Sequence, residues 1–395
     1  MRPNNNFSKK IEGLLLNRNQ GLENRPVFSI VKSLGKLSRR WLDPKFKFRK
    51  KAVRRMISNA GYSPQMAHEL LDALFEALTE KKLLKLLKAE FGDPRVLDEF
   101  RYDKSSNRWQ KAHGPCVITH IFSGNVPNPS IISFVLGMLI KSVNIGKASS
   151  RHEGFIDLYL ESIKLFDRSL AKTNLLIDPK DKKSVMQAIR GSDLVVGYGH
   201  NQSLKEIRTR TPATAVFVGY GHRMSFGICT KESLNNKNFG RLAEATAYDI
   251  WLTDQRGCLS PLEIFIEAGG KVSLNEFSKA LAKAVERRFS AKAWRMPSRR
   301  GGAHVVGFGG RKMIRVRSVK NIDEILNILK PFQPYLQAVS LEAGAKRRMK
   351  IASRLSALGV NRICRAGRMQ KPPITWHHDG KLNLASWVHW TDLEI

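Results

Sequence analysis

The chain has 395 residues, enough for two domains, and 42% of them are hydrophobic, an ordinary share for a globular protein. Its 68 Lys and Arg residues outnumber 34 Asp and Glu residues, which leaves a formal net charge of +34. A charge of this size attracts anionic partners, so nucleic acid, anionic membranes, phosphorylated cofactors and acidic carrier proteins all stay open at this point.

The cysteines and the apolar runs indicate the cellular compartment in which the protein is expected. The four cysteines form no CxxC pair and no grouping with histidines, which favours separate thiols in a reducing compartment and no metal site. The N-terminus lacks the apolar core of a signal peptide. The longest apolar run, residues 131–140, falls short of the roughly 20 residues that a membrane-spanning helix needs. We therefore expect a soluble, cytoplasmic protein.

Residues 1–94 are expected to form a basic, helical N-terminal region, although the part before Gly61 shows no regular pattern. Between residues 39 and 55, lysines and arginines are interleaved with aromatic residues. This pattern suits either a docking surface for a polyanion or membrane, or a solvated helix face with aromatic anchors. The second is favoured, because most lysines and arginines in proteins are simply exposed to solvent. The pair Ser63-Pro64 predicts a helix start, and Gly92-Asp93-Pro94 predicts the end of the helical stretch.

From about residue 114, short β-rich runs alternate with helical patterns. Strands are predicted at 116–122, 142–145, 193–197 and 215–218, and helices at 129–140, 155–170 and 203–208. A second stretch of the same kind runs from a helix at 239–251 to a strand at 361–364. Such alternation predicts mainly parallel sheets with crossover helices, which bind ligands beyond the carboxyl ends of their strands.

The segment Asp-Gln-Arg-Gly-Cys-Leu-Ser-Pro, residues 254–261, joins a predicted helix to a predicted strand. A cysteine in such a loop is accessible, and its thiolate is a nucleophile if the surroundings lower its pKa. Arg256 is close enough in sequence to contribute to that. Most cysteines are small core residues, but the loop position favours Cys258 as a catalytic nucleophile.

Three further blocks accompany this loop in order: Ser-Gly-Asn-Val-Pro at 123–127, Asn-Ile-Gly-Lys-Ala-Ser at 144–149 and Trp-His-His-Asp-Gly at 376–380. Together with residues 254–261 they resemble the acyl-CoA reductase family, which includes the fatty-acid reductase of bacterial bioluminescence. That family lies within the aldehyde dehydrogenase superfamily. The resemblance extends from about residue 95 to the C-terminus.

The resemblance implies an α/β, aldehyde dehydrogenase-like fold of two domains with mainly parallel sheets, preceded by the basic helical region. Residues 95–225 would bind a nicotinamide cofactor, and residues 226–366 would carry Cys258. Residues 367–395 would return to the active-site region. The basic stretch before Gly61 departs from the family, which usually has a longer N-terminal region.

The family motifs also assign roles to single residues. The amide of Asn125 would stabilise the oxyanion beside the backbone N–H of Cys258, where one donor is worth roughly 2.7–4 kcal/mol. Lys147 would contact the adenosine ribose or its 2′-phosphate, and Ser149, with its neighbours Ser150 and Arg151, favours NADPH over NADH. The alternatives are a turn asparagine and a solvated lysine.

Gly197 ends a predicted strand and Gly199 follows it on the way into a helix, so both glycines are expected near the cofactor pyrophosphate. A full GxGxxG fingerprint is absent, in agreement with the atypical cofactor loop that the resemblance implies. The glycine-rich run at 307–312 lacks the spacing of a phosphate-binding loop and is interpreted as a turn.

An absent carboxylate indicates the direction of the reaction. Oxidative aldehyde dehydrogenases carry a glutamate in the block equivalent to residues 218–222, yet no Asp or Glu lies between Glu206 and Glu232. Without that base, water should attack an acyl-Cys258 slowly. His222 is the nearest group that exchanges protons near pH 7, which makes it a candidate acid/base. The adjacent His377 and His378 lack a third ligand and are not expected to bind metal.

These observations predict NADPH-dependent (or NADH-dependent) reduction of an acyl thioester, with a fatty acyl group, to the aldehyde through an acyl-Cys258 intermediate. The expected partners are acyl-CoA or an acidic acyl carrier protein, with an anionic membrane surface and a homo-oligomer as further candidates. Two alternatives stay open: a polyanion- or nucleic-acid-binding protein with an inactive dehydrogenase-like core, and an oxidative aldehyde dehydrogenase. Charge favours the first; the missing glutamate disfavours the second.

Overall fold

The computed structural model describes residues 5–124, 126–149, 155–297, 302–309 and 312–394. Contacts between residues divide the chain into two compact units. Unit 1 comprises Met1–Gly221 and Pro373–Ile395, and unit 2 comprises His222–Pro372. The N-terminal region and the C-terminal segment thus both belong to unit 1.

Unit 1 begins with five helices. They are α1 (Asn5–Gly21), α2 (Val27–Leu42), α3 (Lys47–Ala60), α4 (Pro64–Ala77) and α5 (Glu80–Phe91). The interpretation that the stretch before Gly61 has no regular pattern was therefore wrong. Helix α2 buries an apolar stripe that includes Val27, Ile30 and Leu34, while the intervening cations face outward and mask the periodicity.

The start of α4 and the aromatic anchors agree with the sequence. Ser63 caps α4, its hydroxyl accepting a hydrogen bond from the Met66 N–H at 3.2 Å. The aromatic residues between positions 41 and 48 are buried, whereas Lys47, Lys50 and Lys51 are exposed. The aromatic anchors of the second interpretation are therefore present, and docking of a polyanion or membrane by the exposed lysines stays a prediction.

The rest of unit 1 is a five-stranded parallel sheet and a small three-stranded antiparallel one. The strands are β1 (Arg101–Asp103), β2 (Arg108–His113), β3 (Val117–Ile121), β4 (Val143–Lys147), β5 (Asn174–Ile177), β6 (Leu194–Tyr198) and β7 (Val216–Tyr220), with β15 (His389–Leu393) from the end of the chain. The parallel sheet has the order β5-β4-β3-β6-β7, so the chain starts in the middle and winds outward in both directions. Because all the pairings are parallel, the carboxyl ends of the five strands lie at one edge of the sheet.

Five helices connect these strands: α6 (Asn128–Leu139), α7 (Ile156–Ile163), α8 (Arg168–Ala171), α9 (Lys182–Arg190) and α10 (Asn201–Arg210). The single helix predicted at 155–170 was wrong, because a turn separates α7 from α8. Asp167 accounts for the break: its carboxylate accepts the Leu170 N–H at 2.9 Å and pairs with Arg25 at 2.6 Å, so it begins a new helix.

Unit 2 is a seven-stranded mixed sheet with helices on both faces. Its strands are β8 (Met224–Cys229), β9 (Pro261–Glu267), β10 (Trp294–Pro297), β11 (Ala303–Phe308), β12 (Lys312–Val319), β13 (Leu336–Glu342) and β14 (Arg362–Cys364), in the order β10-β11-β12-β9-β8-β13-β14. Its helices are α11 (Phe239–Trp251), α12 (Leu274–Phe289), α13 (Ile322–Leu329) and α14 (Ala345–Ala357). In that order, neighbours from β12 onward are parallel. Strands β10 and β11 add an antiparallel extension that the sequence did not predict.

The C-terminal segment is tied to unit 1 by hydrogen bonds. Strand β15 pairs with β2, so that residues 389–393 lie opposite residues 109–113. The Glu90 carboxylate at the end of α5 accepts the backbone N–H groups of Asn383, Leu384 and Ala385 at 2.8–3.0 Å. Within the described ranges, no helix is both long and apolar enough to cross a membrane.

Candidate active site

Cys258 lies in the connection between α11 and β9, as the sequence predicted, and its side chain is exposed. The connection turns sharply because Asp254 and Gln255 both adopt left-handed backbone conformations, with φ of 53° and 56°. The Gln255 N–H donates back to the Ile250 carbonyl at 3.0 Å, which closes the end of α11. The thiol is therefore presented by a defined turn.

Neighbouring elements of unit 2 hold this loop. The buried Ser225 hydroxyl of β8 donates to the Cys258 carbonyl at 2.7 Å. The hydroxyls of Thr253 and Ser260 are hydrogen-bonded at 2.8 Å. The Gln370 amide donates both to the Ser260 hydroxyl at 2.9 Å and to the Asp249 carbonyl at 2.7 Å. Such support fixes the backbone on which a nucleophile sits.

The charges around the loop centre on Asp254, whose side chain is 7% exposed. Its carboxylate pairs with Arg256 at 3.0 Å and with Lys312 of β12. Two cations thus share one carboxylate, which lies four residues before Cys258.

Asp249, near the end of α11, is a buried carboxyl that precedes this loop. It accepts the backbone N–H groups of Gly367 at 2.6 Å and Met369 at 3.0 Å. Burial raises the pKa of Asp249 to about 7, while these N–H groups and the nearby Arg362 oppose the rise. The carboxyl joins α11 to the segment that carries Gln370.

The raised pKa of Asp249 predicts that the stability of the protein depends on pH. Its ordinary pKa in an unfolded chain is about 3.9, so between about pH 4 and pH 7 the folded protein holds a proton that the unfolded chain has lost. The contribution of this group to the free energy of unfolding therefore falls as pH rises through that range. We expect the stability of the wild type minus that of Asp249→Asn to drop by roughly 1–3 kcal/mol from pH 4 to pH 7, in urea unfolding at matched ionic strength. A difference that is constant over this range would contradict the raised pKa.

His222 lies at the same edge of the sheet as Cys258. It precedes β8 and is exposed. The parallel register pairs Ser225 of β8 with Pro261 of the adjacent β9, so the loops before these two strands lie side by side. The structure therefore brings the elements carrying His222 and Cys258 together.

A cavity of about 670 Å³ opens in unit 1 at the carboxyl ends of β3, β4 and β5. This is the edge at which parallel sheets bind ligands, and the volume suits a cofactor-sized molecule. Ser149 lines the cavity, as do Ser123 and Gly124 of the predicted oxyanion turn. Asn125 itself lies outside the described residues, as do Ser150 and Arg151.

The other predicted cofactor residues follow strands of the same sheet. Lys147 is the last residue of β4, and partial burial lowers the pKa of its ammonium group. Gly197 lies near the end of β6 at a close approach, since a Cβ there would lie 3.0 Å from the Leu204 side chain of α10. The Gly199 N–H donates to the Tyr220 carbonyl at 3.2 Å. Neither glycine lines the cavity.

Unit 1 contains an aromatic stack that the sequence did not predict. Tyr198 stacks on Tyr220 at 4.8 Å between ring centroids, Tyr220 on His378 at 4.3 Å, and Trp376 packs against His378 at 4.9 Å. Burial raises the pKa of the Tyr220 hydroxyl well above its ordinary value, and nearby Asp379 adds to the effect. The block at 376–380 thus packs against the ends of β6 and β7, and His378 serves as a stacking residue. Only the resemblance gave a signal for this contact.

Comparison with known proteins identifies the family to which this chain belongs. The model of the LuxC acyl-CoA reductases matches residues 22–300 and 289–390. A long-chain acyl-protein thioester reductase of Aliivibrio fischeri is 25% identical over 387 residues, covering 86% of this chain and 78% of that protein. An NAD-dependent aldehyde dehydrogenase from Sinorhizobium meliloti superposes with a TM-score of 0.72 at 9% identity, covering 99% of this chain and 87% of that one.

A glyceraldehyde-3-phosphate dehydrogenase from Methanocaldococcus jannaschii, solved with NADP, gives a TM-score of 0.69 at 10% identity, covering 99% of this chain and 94% of that one. These likenesses confirm the α/β, aldehyde dehydrogenase-like fold. The family match spans nearly the whole chain. The protein belongs to the LuxC family of acyl-CoA reductases, enzymes that act on acyl thioesters.

Proposed function

We propose that this enzyme reduces a fatty acyl thioester to the aldehyde with NADPH, through an acyl group carried on Cys258. The observation that carries the proposal is the exposed Cys258 thiol on a loop whose backbone is held by Ser225 and Gln370. Membership of the LuxC family supplies the reaction class.

The first half of the reaction is acyl transfer. The Cys258 thiolate attacks the thioester carbonyl, a new C–S bond forms, and the bond to the departing thiol breaks. Arg256, two positions before Cys258 and paired with Asp254, is the cation that we assign to favouring the thiolate. We assign the oxyanion to the backbone N–H of Cys258 and the amide of Asn125, the role that the family motif implies.

The second half releases the aldehyde. When bound, a nicotinamide cofactor would supply a hydride. Reduction of the acyl-Cys258 carbonyl would give a thiohemiacetal on the sulfur, and cleavage of its C–S bond would release the aldehyde and restore the Cys258 thiolate. We assign proton exchange to His222, whose loop neighbours that of Cys258. The stretch between Glu206 and Glu232 offers no carboxylate to activate water, which favours reduction over formation of the free acid.

The residues around the unit 1 cavity suit a nicotinamide cofactor. Ser149 lines the cavity and offers a hydroxyl, while Lys147, at the end of β4 and one residue before the cavity-lining Ala148, offers a cation for the ribose or a phosphate. The A. fischeri relative is described as acting on acyl-protein thioesters. We accordingly propose acyl-CoA or an acidic acyl-carrying protein as donor, which the net charge of +34 would attract.

The test is an NADPH oxidation assay with acyl-CoAs of graded chain length and with acyl carrier protein donors, in which the product is trapped as a hydrazone and identified. We expect one aldehyde for each NADPH oxidised. Reduction of NAD(P)⁺ by added aldehyde, with free acid as the main product, would support an oxidative dehydrogenase instead. No turnover, together with NADPH-independent binding to polyanions that weakens steeply with salt, would support the binding-protein alternative.

A further inference from the structure

The cavity in unit 1 receives side chains from outside the parallel sheet, and two of them are cations. Arg55 comes from α3 of the N-terminal helices, and Lys180 comes from the loop between β5 and α9. We propose that Arg55 and Lys180 bind the 2′-phosphate of the cofactor and make the enzyme selective for NADPH over NADH. This inference rests on the proposed function, because it takes the cavity as the site of the adenosine end.

Arg55 is held in place by an ion pair with a neighbouring element. Its guanidinium lies 2.5 Å from the Asp157 carboxylate of α7, and Asp157 also lines the cavity. Arginine presents five donors in a planar fork, so one edge can engage a carboxylate while another binds a phosphate. Asp157 is therefore a positioning residue for Arg55, whose side chain remains 30% exposed.

Lys180 approaches the cavity from the loop after β5. Its backbone N–H donates to the Asp178 carboxylate at 2.8 Å, which shapes the turn after this strand. Within the part of the chain that the structure describes, no ion pair is formed by its ammonium group, which is therefore available to a phosphate. Both cations stand on the same cavity as Ser149, whose hydroxyl can add a hydrogen bond to a phosphate oxygen.

Asp157 and Asp178 also line the cavity, and a carboxylate beside the ribose would favour NADH over NADPH. In sheets of this topology, a carboxylate near the ribose binds the 2′-hydroxyl of NAD, whereas a nearby arginine accommodates the 2′-phosphate of NADP. Asp157 is paired with Arg55, and Asp178 accepts a backbone hydrogen bond. An anionic 2′-phosphate would then meet two cations and two carboxylates that already have partners, which favours NADPH.

The experiment measures binding and turnover separately. Calorimetry with 2′,5′-ADP and 5′-ADP probes the cavity without any reaction, and steady-state assays give kcat and KM for NADPH and NADH. For Arg55→Ala and Lys180→Ala we expect the Kd for 2′,5′-ADP and the KM for NADPH to rise about 10-fold or more each, with 5′-ADP, NADH and kcat within about 3-fold of wild type. Asp157→Asn should raise the NADPH KM at unchanged kcat and leave NADH unaffected.

Matched controls are Arg54→Ala, one position away on α3, and Lys183→Ala on α9, since both side chains are exposed and neither lines the cavity. An unchanged preference for 2′,5′-ADP over 5′-ADP in the Arg55→Ala, Lys180→Ala double variant would overturn the inference. So would a wild type that prefers 5′-ADP and NADH and loses this preference in Asp178→Asn. In either case, aldehyde formation by the wild type would keep thioester reduction as the function and change only the cofactor assignment. Failure of the proposed function would instead appear as no turnover with either cofactor.

Discussion

The Cys258→Ala variant is expected to lose thioester reduction, with kcat lowered about 10³-fold or more, as for other enzymes deprived of their nucleophile. No other group can form the acyl intermediate in this scheme, so binding and hydride supply alone cannot sustain the reaction. Because Cys258 is exposed and its loop is held through backbone and neighbouring side chains, removing the sulfur should leave the fold intact. The measurement is NADPH oxidation with the aldehyde product quantified.

The control is a second exposed cysteine. Cys116, just before β3 in unit 1, is also exposed, and Cys116→Ala should keep near-wild-type turnover. Intact-protein mass spectrometry after incubation with acyl-CoA, without cofactor, should show one acyl adduct on the wild type and on Cys116→Ala, and none on Cys258→Ala. An adduct that persists in Cys258→Ala, or normal turnover by that variant, would exclude Cys258 as the nucleophile.

Loss of the Glu90 carboxylate should destabilise unit 1, because it removes the acceptor of three backbone N–H groups. Glu90 accepts three consecutive backbone N–H groups, from residues 383–385, and its Oε1 also lies 3.3 Å from the Asn383 side-chain amide. Leu384 is completely buried, so its N–H has no ready access to water when the acceptor is removed. We expect Glu90→Ala to lower the free energy of unfolding by about 3–5 kcal/mol, because each donor left without a partner costs about 1–3 kcal/mol.

Hydrogen exchange followed by mass spectrometry can localise this effect. In Glu90→Ala, the peptides that contain residues 383–393 and the paired β2 strand should lose protection, while peptides of unit 2 keep theirs. Glu90→Gln retains one acceptor oxygen, so its stability and its protection from exchange should lie between those of the wild type and Glu90→Ala. Glu76→Ala, an exposed glutamate on α4, should change stability by no more than about 0.5 kcal/mol. Equal protection in Glu90→Ala and the wild type would refute the anchoring role.

The sequence predicted the elements whose signals are local. The buried strands β3, β4 and β6 are short apolar runs bounded by turns, and helix α11 has a clear apolar stripe, so their ends agree closely with the prediction. The antiparallel strands were missed for a different reason. β2 and β15 pair although most of the chain lies between them, and their burial is only partial, so neither has a strong pattern of its own.

In the candidate site, too, the features with a local sequence signal could be predicted and the long-range contacts could not. The location of Cys258 could be predicted because the flanking helix and strand are both strongly patterned. The groups that hold its loop could not, since Lys312 and Gln370 come from elements much later in the chain and reach the loop only once the sheet of unit 2 has formed. The stack of Tyr198, Tyr220 and His378 likewise depends on the return of the C-terminal segment to unit 1.

The interrupted path of unit 1 sets an order of events during translation. Unit 2 is one continuous stretch, His222–Pro372, so all its strands have been synthesised before residue 373 leaves the ribosome. Unit 1, although begun first, lacks β15 and the partners of Glu90 until the C-terminal segment emerges. Meanwhile the nascent chain carries β2 with one edge unpaired, and such an edge can pair with other chains. The part of the protein made first is thus the last to be completed, and premature release of the chain would leave that edge open.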